Sequence, residues 1–134
     1  MRDTRTVLTA RRTEKKMISY KLVMPQNMNH YGFLFGGDML KWVDETAWTA
    51  VSLDYPGCKF VTIGMDRVEF KKGVTDGSIL RFEVNRQREG RTSVTYCVDV
   101  YRRELHQRAD EAIFHTDVTF VRVDENGKKI PIQP

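Results

Sequence analysis

Residues 29–51, NHYGFLFGGDMLKWVDETAWTAV, hold the side chains whose types and spacing could do chemistry. Asp44 is a carboxylate that could activate a water or attack an electrophilic carbon itself. Gly36 and Gly37 precede a helical pattern, and without Cβ atoms they let another group approach the backbone closely. First-turn amides of such a helix, with its dipole, are suited to hold a developing oxyanion. The helix is predicted over Asp38 to about Leu53, with Asp38 as N-cap. At about 100° per residue, Met39, Val43, Ala47 and Ala50 share one face, with Leu40 and Val51 at its edge. Lys41, Glu45, Thr49 and Ser52 take the opposite, solvated face. Asp44 belongs to neither group, falling beside Leu40, Trp48 and Val51. The ordinary reading is a border carboxylate that reaches water or a backbone amide; the chemical reading is a catalytic carboxylate.

Other chemistries lack their residues. The chain has no GxSxG elbow, no GxxxxGK[ST] loop and no GxGxxG after a strand. His30, His106 and His115 lack the spacing of a metal site, and Cys58 and Cys97 form neither a metal pair nor a CxxC. No metal is expected, and the thiols are expected to be reduced, as in a cytoplasm. His115 lies on a predicted strand and is expected to be packed or half-exposed.

The 134 residues suit one domain. No stretch of eighteen apolar residues exists, so membrane insertion is not expected. The net charge of +4 is localised: residues 1–16 carry six basic and two acidic side chains, and the remainder is balanced. A basic, flexible arm over 1–16 and a folded domain over 17–134 are therefore predicted, with no nucleic-acid partner.

The elements that position the helix are strands. Met17 to Met24 alternates, with Ile18, Tyr20, Leu22 and Met24 on one side. Cys58 to Phe70 is a second strand, in which Gly64 marks a bulge or a close approach. Ile79 to Asn85 places Leu80, Phe82 and Val84 inward, and Arg86 to Gly90 reads as a charged hairpin tip. Thr92 to Tyr101 and Ala112 to Val121 complete the set, followed by a polar turn over Asp124 to Lys129 and an extended tail. One helix and five strands without a repeated strand–helix–strand unit give an α+β fold, an antiparallel five-stranded sheet wrapped around one long central helix.

Asn29, GFLFGGDML and WVDETA, in that order, resemble the hotdog-fold acyl-CoA thioesterases, specifically the broad- and long-chain acyl-CoA hydrolases. The likeness continues through VEFKKGVTDGS, GRTSV and FVRVDENGKKIPIQP. It implies that Asp44 is base or nucleophile, that amides near Gly36 and Gly37 receive the oxyanion, and that Asn29 orients water or carbonyl. It also implies an acyl-CoA substrate, with coenzyme A as part of substrate and product and no separate cofactor. Coenzyme A would lie near Lys72 and along Gly90, Arg91, Thr92 and Ser93. Gly73 departs from the more usual proline beside Lys72. The resemblance further implies a homodimer at least, in a branch that often builds trimers of dimers, with Asn29 of one chain facing Asp44 of the next. Two alternatives share the fold: a non-catalytic acyl-CoA-binding regulator, and a hydratase or dehydratase, for which His30 would be needed.

Overall fold

The computed structural model describes residues 16–133. The predicted arm falls almost wholly outside them; its last residue, Lys16, makes an ion pair of 2.9 Å with Glu83. The elements are β1 (Met17–Leu22), a 3-10 turn (Pro25–Asn27), α1 (Gly36–Asp54), β2 (Lys59–Phe70), β3 (Ile79–Glu89), β4 (Ser93–Arg103) and β5 (Glu111–Val123). The strands form one antiparallel sheet in the order β1-β3-β4-β5-β2, so β1 and β2 are its edges.

One face of the sheet packs on α1. The inward side chains are Leu80, Phe82 and Val84 of β3, Val94, Tyr96, Val98 and Val100 of β4, and Phe114, Val118 and Phe120 of β5, all buried. Met39, Val43, Ala47, Ala50 and Val51 meet them from the helix, as the 3.6-residue period requires. Trp42 joins them and is buried as well. The small Ala47 and Ala50 let the helix axis approach the strands, and removing this apolar surface from water drives the wrap.

Two sequence expectations are corrected, and the face of β1, which alternation leaves open, is set by pairing. The helix begins at Gly36, two residues before Asp38, with Phe35 as an N-cap whose side chain makes no capping bond. The charged run Arg86–Glu89 is not a hairpin tip. It belongs to β3, bulged between Arg86 and Arg88, and the turn is Gly90–Thr92, closed by Gly90 N–H to Ser93 O at 2.7 Å. Polar side chains do not end a strand whose other face is the core. In β1 the alternation is present, but the apolar side chains Ile18, Tyr20 and Leu22 point outward and are about half exposed. Antiparallel partners share a face. Met17, Ser19 and Lys21 oppose Val84, Phe82 and Leu80, so they are the inward set, and Lys21 Nζ lies 5.3 Å from the Trp42 ring centroid.

Edge strand β2 is irregular. Its register shifts between Thr62 and Gly64, where the sequence marks a bulge, and again between Asp66 and Glu69, where Arg67 takes a φ of 56°. Nearly all of its side chains are exposed, apolar Val61, Ile63, Val68 and Phe70 among them. Such an edge is normally covered.

Candidate active site

The α1 hydrogen-bond ladder starts with Met39 N–H to Phe35 O at 3.2 Å. The amides of Gly36, Gly37 and Asp38 therefore precede it, as the first amides of a helix do. Asp38 is not the N-cap; it is the third helical residue. Its carboxylate accepts from Asn27 Nδ2 at 3.2 Å, and this ties the loop to the helix start while keeping negative charge at the positive dipole end. Gly36 lies against the Phe70 ring: a Cβ there would come within 3.3 Å of Phe70 Cζ. Gly36, Met39, Phe70, Lys72, Gly73 and Ile113 line one open cavity of about 360 Å³ at this end of the helix.

Asp44 is partly buried, two turns into α1. It accepts a hydrogen bond from Thr62 Oγ1 at 2.7 Å, across to edge strand β2. This bond holds one carboxylate oxygen and leaves the other available. Glu45, its neighbour, is exposed, as the helix phase requires. Thr62 is the site residue that sequence reasoning passes over. It sits just before the Gly64 bulge, so a simple alternation does not say which face it takes; a lone hydroxyl within KFVTIG was the only signal.

Asn29 is occupied locally. Its Oδ1 accepts from Tyr31 N–H at 2.9 Å and Phe33 N–H at 3.1 Å, and its own N–H donates to Phe33 O at 2.7 Å. The side chain thus organises the loop that leads to the glycines. Among the described residues no hydrogen bond joins Asn29 to Asp44, and Asn29 Nδ2 makes none.

The expected coenzyme A positions fall into two groups. Lys72 lines the cavity beside Gly36 and pairs with Glu111, which Arg102 also binds. Lys72 and then Arg102 hold the Glu111 carboxyl below its ordinary value of 4.5. Gly73, unlike proline in this position, is fitted to its surroundings: a Cβ would come 2.7 Å from the Phe33 ring, and the Gly73 carbonyl accepts from the buried Arg102. Gly90, Arg91, Thr92 and Ser93 lie at the other end of the helix. The neighbouring Glu89 accepts from the Tyr55 hydroxyl at 2.5 Å, and Tyr55 is the helix C-cap. Burial first, then the bond to Glu89, push the Tyr55 phenol up to about 12. A nineteen-residue helix is about 28 Å long, so one chain does not bring the two groups together.

His30 is exposed and stacks on Tyr31, with ring centroids 4.0 Å apart. No carboxylate partners it among the described residues.

A family model described as the thioesterase superfamily matches residues 31–109, which carry α1 and the strands β2, β3 and β4. The chain belongs to the thioesterase superfamily. Among its relatives is an uncharacterized acyl-CoA thioester hydrolase of Bacillus subtilis, YkhA, 28% identical over 121 residues that span 89% of this chain and 69% of that one. The chain is similar in structure to an acyl-CoA hydrolase from Staphylococcus aureus in complex with butyryl coenzyme A, coenzyme A and coenzyme A disulfide. The two share 27% identity and a TM-score of 0.80, over 89% of this chain and 72% of the other. Structures of that enzyme also exist with an asparagine, an aspartate or a threonine replaced by alanine. An apo-hexameric acyl-CoA thioesterase is 34% identical with a TM-score of 0.79, over 87% of this chain and 74% of the other. The thioesterase hotdog, one antiparallel sheet around one helix, is the fold of this family and of this chain.

Proposed function

We propose that this thioesterase-family chain hydrolyses fatty acyl-CoA to a free fatty acid and coenzyme A. The observation that carries the reading is Asp44, a carboxylate on the buried helix held by Thr62 Oγ1 at 2.7 Å, two turns beyond a helix start with free amides. A thioester carbonyl is electrophilic and its thiolate leaves readily, so little else is needed. Asp44 takes a proton from a water whose oxygen adds to the carbonyl carbon, or adds to that carbon itself and gives an anhydride that a water then hydrolyses to the free acid. The carbonyl oxygen, becoming negative, is received by amides at Gly36 and Gly37. Collapse of the adduct breaks the C–S bond and expels the coenzyme A thiolate, which takes up a proton.

The site is completed by a second chain. Asn29 Oδ1 is held by its own loop while Nδ2 makes no bond among the described residues, and the exposed β2 edge beside Thr62 offers an apolar surface for pairing. In the dimer, Asn29 of one subunit faces Asp44 of the other, and the hexameric relative supports further assembly as a trimer of dimers. The separation of Lys72 from the Gly90–Ser93 turn points the same way. One coenzyme A reaches both groups only if two chains supply them. Lys72, half exposed, can leave Glu111 for a phosphate because the buried Arg102 still neutralises that carboxylate. The two free cysteines are in keeping with a cytoplasmic location, and no helix among the described residues is long and apolar enough to cross a membrane.

The test is incubation with palmitoyl-CoA and a thiol reagent. Steady release of thiol is the expected result. Binding of palmitoyl-CoA without thiol release would make the chain an acyl-CoA-binding regulator.

A further inference from the structure

On the sheet face turned away from α1, the β4–β5 register puts Cys97 opposite Asp117 and Asp99 opposite His115. These four side chains form a two-by-two block that chain spacing hides, because its members come from two strands. Cys97 Sγ is 3.6 Å from Asp99 Oδ2 and 3.8 Å from His115 Nδ1, and His115 Nδ1 is 2.7 Å from Asp99 Oδ1. The thiol, carboxylate and imidazole donors all lie within 4.8 Å of one another. Around a tetrahedral zinc, with bonds of about 2.0–2.3 Å, such donors stand roughly 3.3–3.6 Å apart. The Cys97–Asp99 separation fits already, the Cys97–His115 separation is slightly wide, and the His115–Asp99 pair has to open.

Asp117 supplies an independent observation. The residue is 5% exposed, and its Oδ1 has no hydrogen-bond partner, although Oδ2 is taken by Arg67. A buried carboxylate oxygen without a donor is costly. That oxygen lies 3.6 Å from His115 Nε2. His115 thus stands between two carboxylates, Asp99 at Nδ1 and Asp117 at Nε2.

We propose that this block is a divalent transition-metal site, suited to zinc, with Cys97 Sγ, an Asp99 oxygen and His115 Nδ1 as ligands. Thiolate, imidazole and carboxylate are the donor set that zinc takes. On binding, the thiol proton goes to solvent, and the neutral ring, with Nδ1 taken by the metal, carries its proton on Nε2. There it donates to Asp117 Oδ1, the carboxylate–histidine–metal arrangement that fixes a ligand's tautomer. The fourth position is left to water. Cys97, Asp99 and His115 are each partly exposed, so an ion can enter from solvent. The site lies on the opposite face of the sheet from Asp44 and is separate from the hydrolytic reading.

The test uses the full chain, reduced and stripped of metal with a chelator. Titration with Zn²⁺ by calorimetry is expected to show one tight site per chain, and Co²⁺ is expected to give a thiolate charge-transfer absorption. Cys97→Ser should weaken Zn²⁺ binding by at least about tenfold and abolish the cobalt band. Cys58→Ser should change neither. Asp99→Asn, at a side chain about one-third exposed, provides a second variant, with thermal melting of the metal-free proteins confirming that they fold. Absence of Zn²⁺ binding, binding unchanged in both Cys97→Ser and Asp99→Asn, or a cobalt band lost in Cys58→Ser would overturn the proposal.

Discussion

At its N-terminal end α1 presents two glycines, no side-chain cap and an open cavity lined by Phe70 and Lys72. At its C-terminal end the buried Asp54 accepts from the buried Tyr96 hydroxyl at 2.6 Å, and Tyr55 binds both Glu89 and Arg86. Burial and then Asp54 raise the Tyr96 phenol well above its ordinary value, so it stays a donor throughout the working pH range. The same helix is thus anchored by buried polar contacts where no reaction is expected, and left with unused amides where one is. On the proposed function, the difference gives stability to one end and turnover to the other, with Asp44 between them.

Substitutions can break that division. The largest expected effect is at Asp44: Asp44→Ala should lower kcat by about 10²–10⁴-fold, the contribution of a positioned base, while the melting temperature holds. Steady-state kinetics with palmitoyl-CoA beside a melt checks both halves. Tyr96→Phe addresses the anchored end. It takes a donor from a buried carboxylate and should cost about 1–3 kcal/mol by denaturant titration, with turnover per folded molecule unchanged. A large loss of kcat there would erase the distinction between the ends.

Gly36→Ala sharpens the comparison from the open end. The new Cβ meets Phe70 at 3.3 Å, so the ring must give by a few tenths of an ångström. Stability should change little, because alanine is the better helix former, while kcat/KM should fall by about tenfold as the oxyanion amides shift. Glu45→Ala is the smallest: on the exposed arc beside Asp44, it should change stability by about 0.5 kcal/mol or less and leave turnover intact. Kinetics of the pair Asp44→Ala and Glu45→Ala reads the helix phase directly.

Much of this was legible in the sequence because it depends on period. The α1 face of Met39, Val43, Ala47 and Ala50, the inward sets of β3, β4 and β5, and the bulge at Gly64 all follow from spacing and residue type. What depends on pairing was not legible. The outward turn of Ile18, Tyr20 and Leu22 is set by register with β3, and alternation alone does not say which face is inward. The helix start moved to Gly36 because the amides of the first helical residues donate no ladder bonds and glycine there costs little, and Asp38 serves Asn27 instead of a cap. Thr62 escaped notice because its face is set by the β2 bulge. Cys97 and His115 are eighteen residues apart and meet only through the β4–β5 register. Asn29 and Asp44 were marked by type and position, and within one chain they remain separate.

The most direct test of the account mixes two inactive chains. Asn29→Asp is the better partner than Asn29→Ala, because it keeps the oxygen that binds Tyr31 and Phe33 N–H and removes only the Nδ2 donor. Co-refolded with Asp44→Ala, half of the dimers formed at random are mixed, and each of those carries one site with both defects and one with neither. Palmitoyl-CoA hydrolysis should then return to as much as about a quarter of the unsubstituted rate. No recovery, with subunit exchange confirmed by mass spectrometry, would contradict a site built from Asn29 of one chain and Asp44 of another.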